Sequence, residues 1–266
     1  MPNGGSSLSS VQKFISILDL FSIERPAYSA DEIIAALKCS RPQGYRHLRE
    51  LCRAGFLTRS AAVYRLGARA IELDYIVRHS DPLLQAAIPT MRTVRDQSGC
   101  DALLISLVGD RIITVHHERG TDPATVSYSR GRVMPRFRGA GSKAILAALP
   151  LGRQRAFFNT FREEEADSQL GATWDEVRQA LKQIKRSGHA ISEGELDREN
   201  IAIAAPVFLD APEINASLVL VMGEARYRTT DVTSVVRLVS AAAQRIVDTV
   251  LAAPLPQVTP VATDDR

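Results

Sequence analysis

Eight basic residues between positions 38 and 69 raise the first chemical question. Lys38, Arg41, Arg46, Arg49, Arg53, Arg59, Arg65 and Arg69 are opposed there by a single acid, Glu50. A local field of that sign attracts a polyanion, and release of counterions from a phosphate backbone rewards each contact. A solvated basic helix face is the alternative on charge alone. Arginine donates two parallel bonds to guanine and glutamine pairs with adenine, so Arg41, Gln43, Arg46 and Arg49 suit base edges, whereas Tyr45, Arg59 and Arg65 suit phosphates. Gly44 costs a helix about 1 kcal/mol relative to alanine. Either close approach to a nucleic-acid backbone or a packing contact would account for it.

A second constellation lies further along. Arg138-Gly139-Ala140-Gly141-Ser142 precedes a helical run, and glycine-rich backbone at a helix start offers N–H donors and a positive dipole end suited to a carboxylate. Arg138 adds a bidentate partner or else lies on the surface. Glu193 and Glu195 are candidates to hold a hydroxyl or a cation in the same pocket, with a solvated acidic turn as the alternative. In His116-His117-Glu118, strand alternation puts only His116 and Glu118 on one face, too few for a metal centre. Cys39, Cys52 and Cys100 show no C-x-x-C spacing, which argues for reduced thiols. An enzyme acting through Cys100 or the His116/Glu118 pair is the rival reading. It finds no nucleophile elbow, phosphate loop, dinucleotide fingerprint or zinc-helix motif, so no catalytic residue, metal or cofactor is assigned.

These residues need elements to position them. Val11, Phe14, Ile15, Leu18 and Phe21 recur on one face of a first helix. Ser29-Ala30-Asp31-Glu32 is a capping box opening a second helix that buries Ile33, Ile34 and Leu37. Ser40-Arg41-Pro42-Gln43 reads as another box, opening a third helix that turns Tyr45, Leu48 and Leu51 inward, keeps His47 at the surface or boundary, and stops at Gly55. A hairpin of 56–59 and 63–66 with a tip at Ser60-Ala61-Ala62 completes a winged helix-turn-helix over residues 1–67, after a mobile leader at 1–9. Residues 68–80 continue as a linker helix. Asp81-Pro82 caps the next helix, which Pro89 should kink. Strands are expected at 102–108, 111–117, 125–129, 189–192, 201–208 and 216–222, and helices at 143–149, 153–161, 174–186 and 230–251. The fold class is α+β, with an antiparallel-sheet domain over 81–252 and a disordered tail at 253–266.

In order and spacing the chain resembles the IclR family of bacterial transcriptional regulators. The resemblance is carried by the entry helix at 11–21, by Ser40-Arg41-Pro42-Gln43-Gly44-Tyr45-Arg46-His47-Leu48 and by Tyr64-Arg65-Leu66-Gly67. It continues through Gly131 to Pro135, Gly139 to Ala147, Ser192-Glu193-Gly194-Glu195 and Ile201 to Phe208. It implies a winged helix-turn-helix on operator DNA, a GAF-like domain binding a small molecule, and a homodimer or dimer of dimers. Many family members carry a small residue at the place of Arg138. The resemblance also implies that the pocket beside Arg138, Gly139 and Ala140 is lined by Leu220 and Met222 on the last strand and by Pro206 on the preceding one. Pro42 and Gly44 stand where the family often has Ser and Val, so base preference does not transfer. The apolar lining suggests a carboxylate with an aromatic body.

Composition agrees with this organisation. At 266 residues, with 45% hydrophobic and 24% charged, two ordinary globular domains are expected. No run approaches a membrane span and the first residues lack a signal-peptide pattern, so a cytoplasmic location is expected. The net charge of +3 divides into +4 over residues 1–80 and −1 over the remainder.

Overall fold

The computed structural model describes residues 9–161, 163, 169–210 and 213–253 and resolves into two compact units, to Ser80 and from Asp81. Most of the expected leader and tail therefore lies outside the described residues. Ser9 and Ala253, the inner ends of those segments, have defined roles as helix caps.

In the first unit α1 (Ser10–Leu18) is opened by a capping box in which the Ser9 hydroxyl accepts from Gln12 and the Gln12 side chain accepts from the Ser9 N–H. Its inward stripe is centred on Phe14 and Ile17. Val11 and Ile15, expected inside, fall on the edge of that stripe and are exposed, and the helix ends before Phe21. β1 (Tyr28–Ser29) leads into α2 (Ala30–Leu37), where Ser29 and Glu32 form the expected reciprocal cap and Ile33 and Ile34 are buried. Lys38, left-handed at φ +50°, then turns the chain into α3 (Arg41–Arg53).

Three expectations for α3 are corrected. Ser40 sits at the cap position but makes no side-chain capping bond. Tyr45 is 43% exposed, because the inward stripe runs through Gly44, His47, Leu48 and Leu51 and residue 45 falls about 100° beyond it. His47, expected at the surface, is 2% exposed and meets Phe14 edge-on at 5.1 Å between ring centroids. Gly44 is buried as well. A Cβ there would lie 2.3 Å from Ile34 Cγ1, so the glycine serves the packing of α2 on α3.

β2 (Leu57–Ser60) and β3 (Val63–Leu66) pair antiparallel with Ser60 opposite Val63, which shortens the expected tip to Ala61-Ala62, with Ala61 at φ +53°. β1 pairs with the other side of β3, a strand that two residues are too few to announce. Ile17, Ile33, Leu48, Leu51, Leu57 and Tyr64 form the core of this unit. α4 (Arg69–Ser80) follows and has no buried residue.

The second unit opens with α5 (Pro82–Ser98), capped by the Asp81 carboxylate on the N–H groups of Leu83 and Leu84. Pro89, where a kink is expected, lies within α5, which runs unbroken from Pro82 to Ser98. Then follow β4 (Asp101–Val108), β5 (Arg111–Glu118), β6 (Val133–Met134), α6 (Ala140–Ala148), α7 (Leu151–Phe161) and α8 (Trp174–Ser187), the last with the predicted Thr173/Glu176 cap and Gly188 stop. β7 (Ala190–Glu193), β8 (Asn200–Leu209), β9 (Ile214–Gly223), the short α9 (Glu224–Tyr227) and α10 (Val232–Ala252) complete it. The strands form one antiparallel sheet in the order β6-β5-β4-β9-β8-β7. Residues 125–129, expected as a strand, are irregular: the outer edge of β5 is taken by β6, and the segment is held by Thr114 Oγ1 donating to the Tyr128 carbonyl.

Alternation along the strands sends side chains to two cores. Leu104, Ile203, Leu218, Leu220 and Met222 pack with α5 and α10 on one face, while Leu103, Ile105, Ala204, Val219 and Val221 pack with α6 and α8 on the other. Among the described residues no helix is long and apolar enough to cross a membrane.

The burial of His47 gives the first unit an acid-sensitive stability. Burial, reinforced by Arg46 and Lys13, holds its pKa below the ordinary value, and Nε2 has no hydrogen-bond partner. Below about 6.5, the unperturbed value for histidine, the unfolded chain binds a proton that the folded chain refuses. Stability is therefore complete above that pH and falls as pH drops through it, and His47→Leu should flatten this part of the curve. Urea midpoints of both proteins between pH 7.5 and 5 check this; identical slopes would contradict it.

Candidate functional site

The first candidate surface is the outer face of α3. Arg46, Arg49 and Arg53 recur at three- and four-residue steps directly opposite the buried stripe, and all three are exposed. Arg53 is an addition to the expected set, legible in its spacing; it approaches Glu50 at 3.9 Å. Tyr45 flanks this row, and Ser40 lies exposed at the start of the helix. Arg41 faces Asp31 at 3.3 Å, and Gln43 is half-buried at the side of the helix. Gly44 is removed from the candidate set, since it lies under Ile34. In the hairpin, Arg59 stands opposite Tyr64 with its guanidinium 5.8 Å from the ring centroid, and Arg65 stands opposite Thr58. Arg59 and Arg65 therefore point to opposite faces of the hairpin.

The second candidate site is built where α6 begins. Gly139, at φ +81°, permits the turn into the helix, and a Cβ on it would meet Leu196 at 2.7 Å. Two of the N–H groups that a helix start leaves unpaired are taken. Gly139 N–H donates to Glu195 Oε2 at 2.7 Å, and Ala140 N–H donates to Ser192 Oγ at 3.0 Å. Lys143, one turn into α6, donates to Glu195 Oε1 and to the Ile191 carbonyl. The side chains of this ion pair are 8% and 2% exposed. Glu195 is thus neither a solvated turn residue nor a free acceptor, and of the expected anion position Gly139 N–H holds the protein's own carboxylate and Ala140 N–H a serine hydroxyl. Arg138 turns its guanidinium to the Glu195 carbonyl at 2.7 Å.

A cavity of about 40 Å³ adjoins this cluster, walled by Leu103, Ile105, Tyr128, Val219 and Val221, with Ser192 and Glu195 at its polar end. That is room for roughly one water. Leu196, Asp197 and Asn200 also border it, and they separate it from an open groove of about 760 Å³. Leu220 and Met222 do not line the cavity. They lie in the core on the opposite face of the sheet, and their neighbours Val219 and Val221 face the cavity instead, because one step along a strand changes face. Pro206 is not among the lining residues, and Glu193 is exposed, accepting from the Tyr227 hydroxyl at 3.4 Å.

The segment beside the cavity has its own anchor. Asp101, fully buried, accepts from His117 Nε2 at 2.8 Å, from Ala124 N–H at 2.6 Å and from Gly120 N–H at 3.4 Å. Burial pushes its carboxyl up, but these donors hold it below the ordinary value. Glu118 is joined to His116, Arg92 and Arg95. Cys100 is buried and its thiol pushed up by that burial, the opposite of an activated nucleophile. Among the described residues no group of three or more His, Cys, Asp or Glu is placed to hold a metal ion.

Lys143→Met should leave the Glu195 carboxylate buried without its cation and destabilise the second unit by about 3–5 kcal/mol. Thermal unfolding compared with the parent checks this; an unchanged midpoint would mean that the pair is electrostatically idle.

Comparison with known proteins agrees with this geometry. The family model described as the bacterial transcriptional regulator IclR C-terminal domain matches residues 76–248. The HTH-type transcriptional regulator KipR of Bacillus subtilis is 26% identical over 221 residues, 82% of this chain and 87% of its own. The Pca regulon regulatory protein of Pseudomonas putida is 21% identical over 212 residues, 79% and 73% of the two chains. Among solved structures, an IclR homolog of Microbacterium hydrocarbonoxydans complexed with 4-hydroxybenzoate shares the fold with a TM-score of 0.72 at 22% identity, over 92% of this chain and 100% of that one. With the matching family model spanning well over half of its length, this chain belongs to the IclR family of transcriptional regulators.

Proposed function

We propose that the protein binds operator DNA through the first unit, a winged helix-turn-helix, and answers to a small organic acid held in the second, GAF-like unit. The observation that carries the DNA reading is the exposed row Arg46, Arg49 and Arg53 on the face of α3 opposite its packing stripe. A helix presented in this way enters a major groove, where arginine reads guanine or holds phosphate. Arg65 and Arg59 add a basic side chain to each face of the hairpin, which acts as the wing. The acid reading rests on the apolar walls next to the donors at the start of α6, and on the 4-hydroxybenzoate bound by the Microbacterium relative. An aromatic carboxylate has the chemistry of both features, and the cavity must open to admit it.

The regulator works as a homodimer, or as a dimer of dimers, with α4 as the linker helix. Ile71 and Tyr75, one turn apart on the same face of α4, are 73% and 64% exposed, an apolar face open to a second copy. A dimer places two reading helices on successive half-sites of a palindrome.

Fluorescence anisotropy with the promoter next to its gene tests the DNA reading. Binding should be salt-dependent and stronger than to scrambled duplex, and Arg46→Ala should cost about 1–3 kcal/mol, roughly 5- to 150-fold. Equal weak affinity for both duplexes would overturn it. In sedimentation the chain should run as a dimer or larger at micromolar concentration, and replacing Ile71 and Tyr75 by Glu should shift it towards monomer. A monomeric parent would refute the assembly.

A further inference from the structure

We propose that Glu195 is a resident stand-in for the effector's carboxylate: it holds the anion position at the start of α6, and the effector binds by taking that position from it. The inference rests on the acid-effector reading above and specifies how the site is regulated. Three donors that would recognise a carboxylate there are engaged by Glu195 or by its neighbour on the same connection. Gly139 N–H and Lys143 Nζ hold the two oxygens of Glu195, and Ala140 N–H is held by Ser192. Two carboxylates cannot share one such position, since like charges at contact distance disfavour joint ionisation. An incoming acid must expel Glu195, and Lys143 remains to neutralise it.

The same turn closes the cavity. Leu196, next to Glu195, packs over Gly139 closely enough to forbid a side chain there. Asp197 Oδ2 accepts from Ser127 N–H at 3.0 Å, and Asn200 Nδ2 donates to the Thr125 carbonyl at 2.7 Å. The turn at 194–200 thus stands between the open groove and a cavity of about 40 Å³, against roughly 300 Å³ or more for pockets that hold organic ligands. Expelling Glu195 swings this turn outward. It enlarges the cavity and loosens residues 125–128 in the same step, so occupancy of the anion position and the conformation of the turn become one variable.

Isothermal titration of the full chain with 4-hydroxybenzoate, and with its uncharged isostere 4-hydroxybenzamide, tests this. Glu195→Gln removes the competing charge and should tighten 4-hydroxybenzoate binding at least about tenfold while moving 4-hydroxybenzamide by less than about threefold. Glu195→Asp keeps the charge but shortens its reach to Gly139, and should tighten the acid by a smaller factor. It stands in if circular dichroism shows Glu195→Gln unfolded. Acid binding by the parent with no gain in either folded variant, or an equal gain for acid and amide, overturns the stand-in and leaves the acid-effector reading intact. Failure of the parent and both variants to bind the acid at millimolar concentration overturns both.

Discussion

The second unit is organised around one electrostatic requirement: an ammonium and a carboxylate, both removed from water, must satisfy each other and the start of a helix. Lys143 and Glu195 meet it together with Gly139 N–H and the Ile191 carbonyl. Desolvating such a pair costs several kcal/mol per ion, and the cost is recovered only if geometry and further hydrogen bonds are good. That condition fixes where the β7–β8 connection runs relative to α6, and hence the position of Leu196 over Gly139. The glycine, the turn and the cavity wall all follow from where the charges must sit.

The first unit depends on a simpler constraint. Gly44 lets α2 and α3 approach until Ile34 fills the space of a missing methyl, and His47 closes the other side of the stripe against Phe14. With those positions inward, the helical repeat leaves Arg46, Arg49 and Arg53 outward. The basic face is thus a geometric by-product of the core, and Tyr45 is carried to its flank for the same reason.

Local signals were readable wherever chemistry and spacing act over three or four residues. The caps at Ser29, Asp81 and Thr173, the stop at Gly188 and most strands of the sheet were visible in this way. What escaped depended on partners distant in the chain. Ser40 carries a capping side chain that finds no N–H to serve, and the two-residue β1 exists only because β3 offers it an edge. Leu220 and Met222 were placed one residue from the true lining, Val219 and Val221, an error that alternation turns into the opposite face of the sheet. For Glu195 the local pattern offers only a pocket contact or a solvated turn, because its partner Lys143, fifty-two positions away in the sequence, is invisible to it.

Asp81 lends its carboxylate to the N–H groups of Leu83 and Leu84, so the helix that begins the second unit carries its own terminator of unpaired donors. The junction after Ser80 therefore severs no capping bond belonging to α5. A chain jointed in this way is suited to being cut: separated at Asp81, the second unit would keep the carboxylate that caps its first helix.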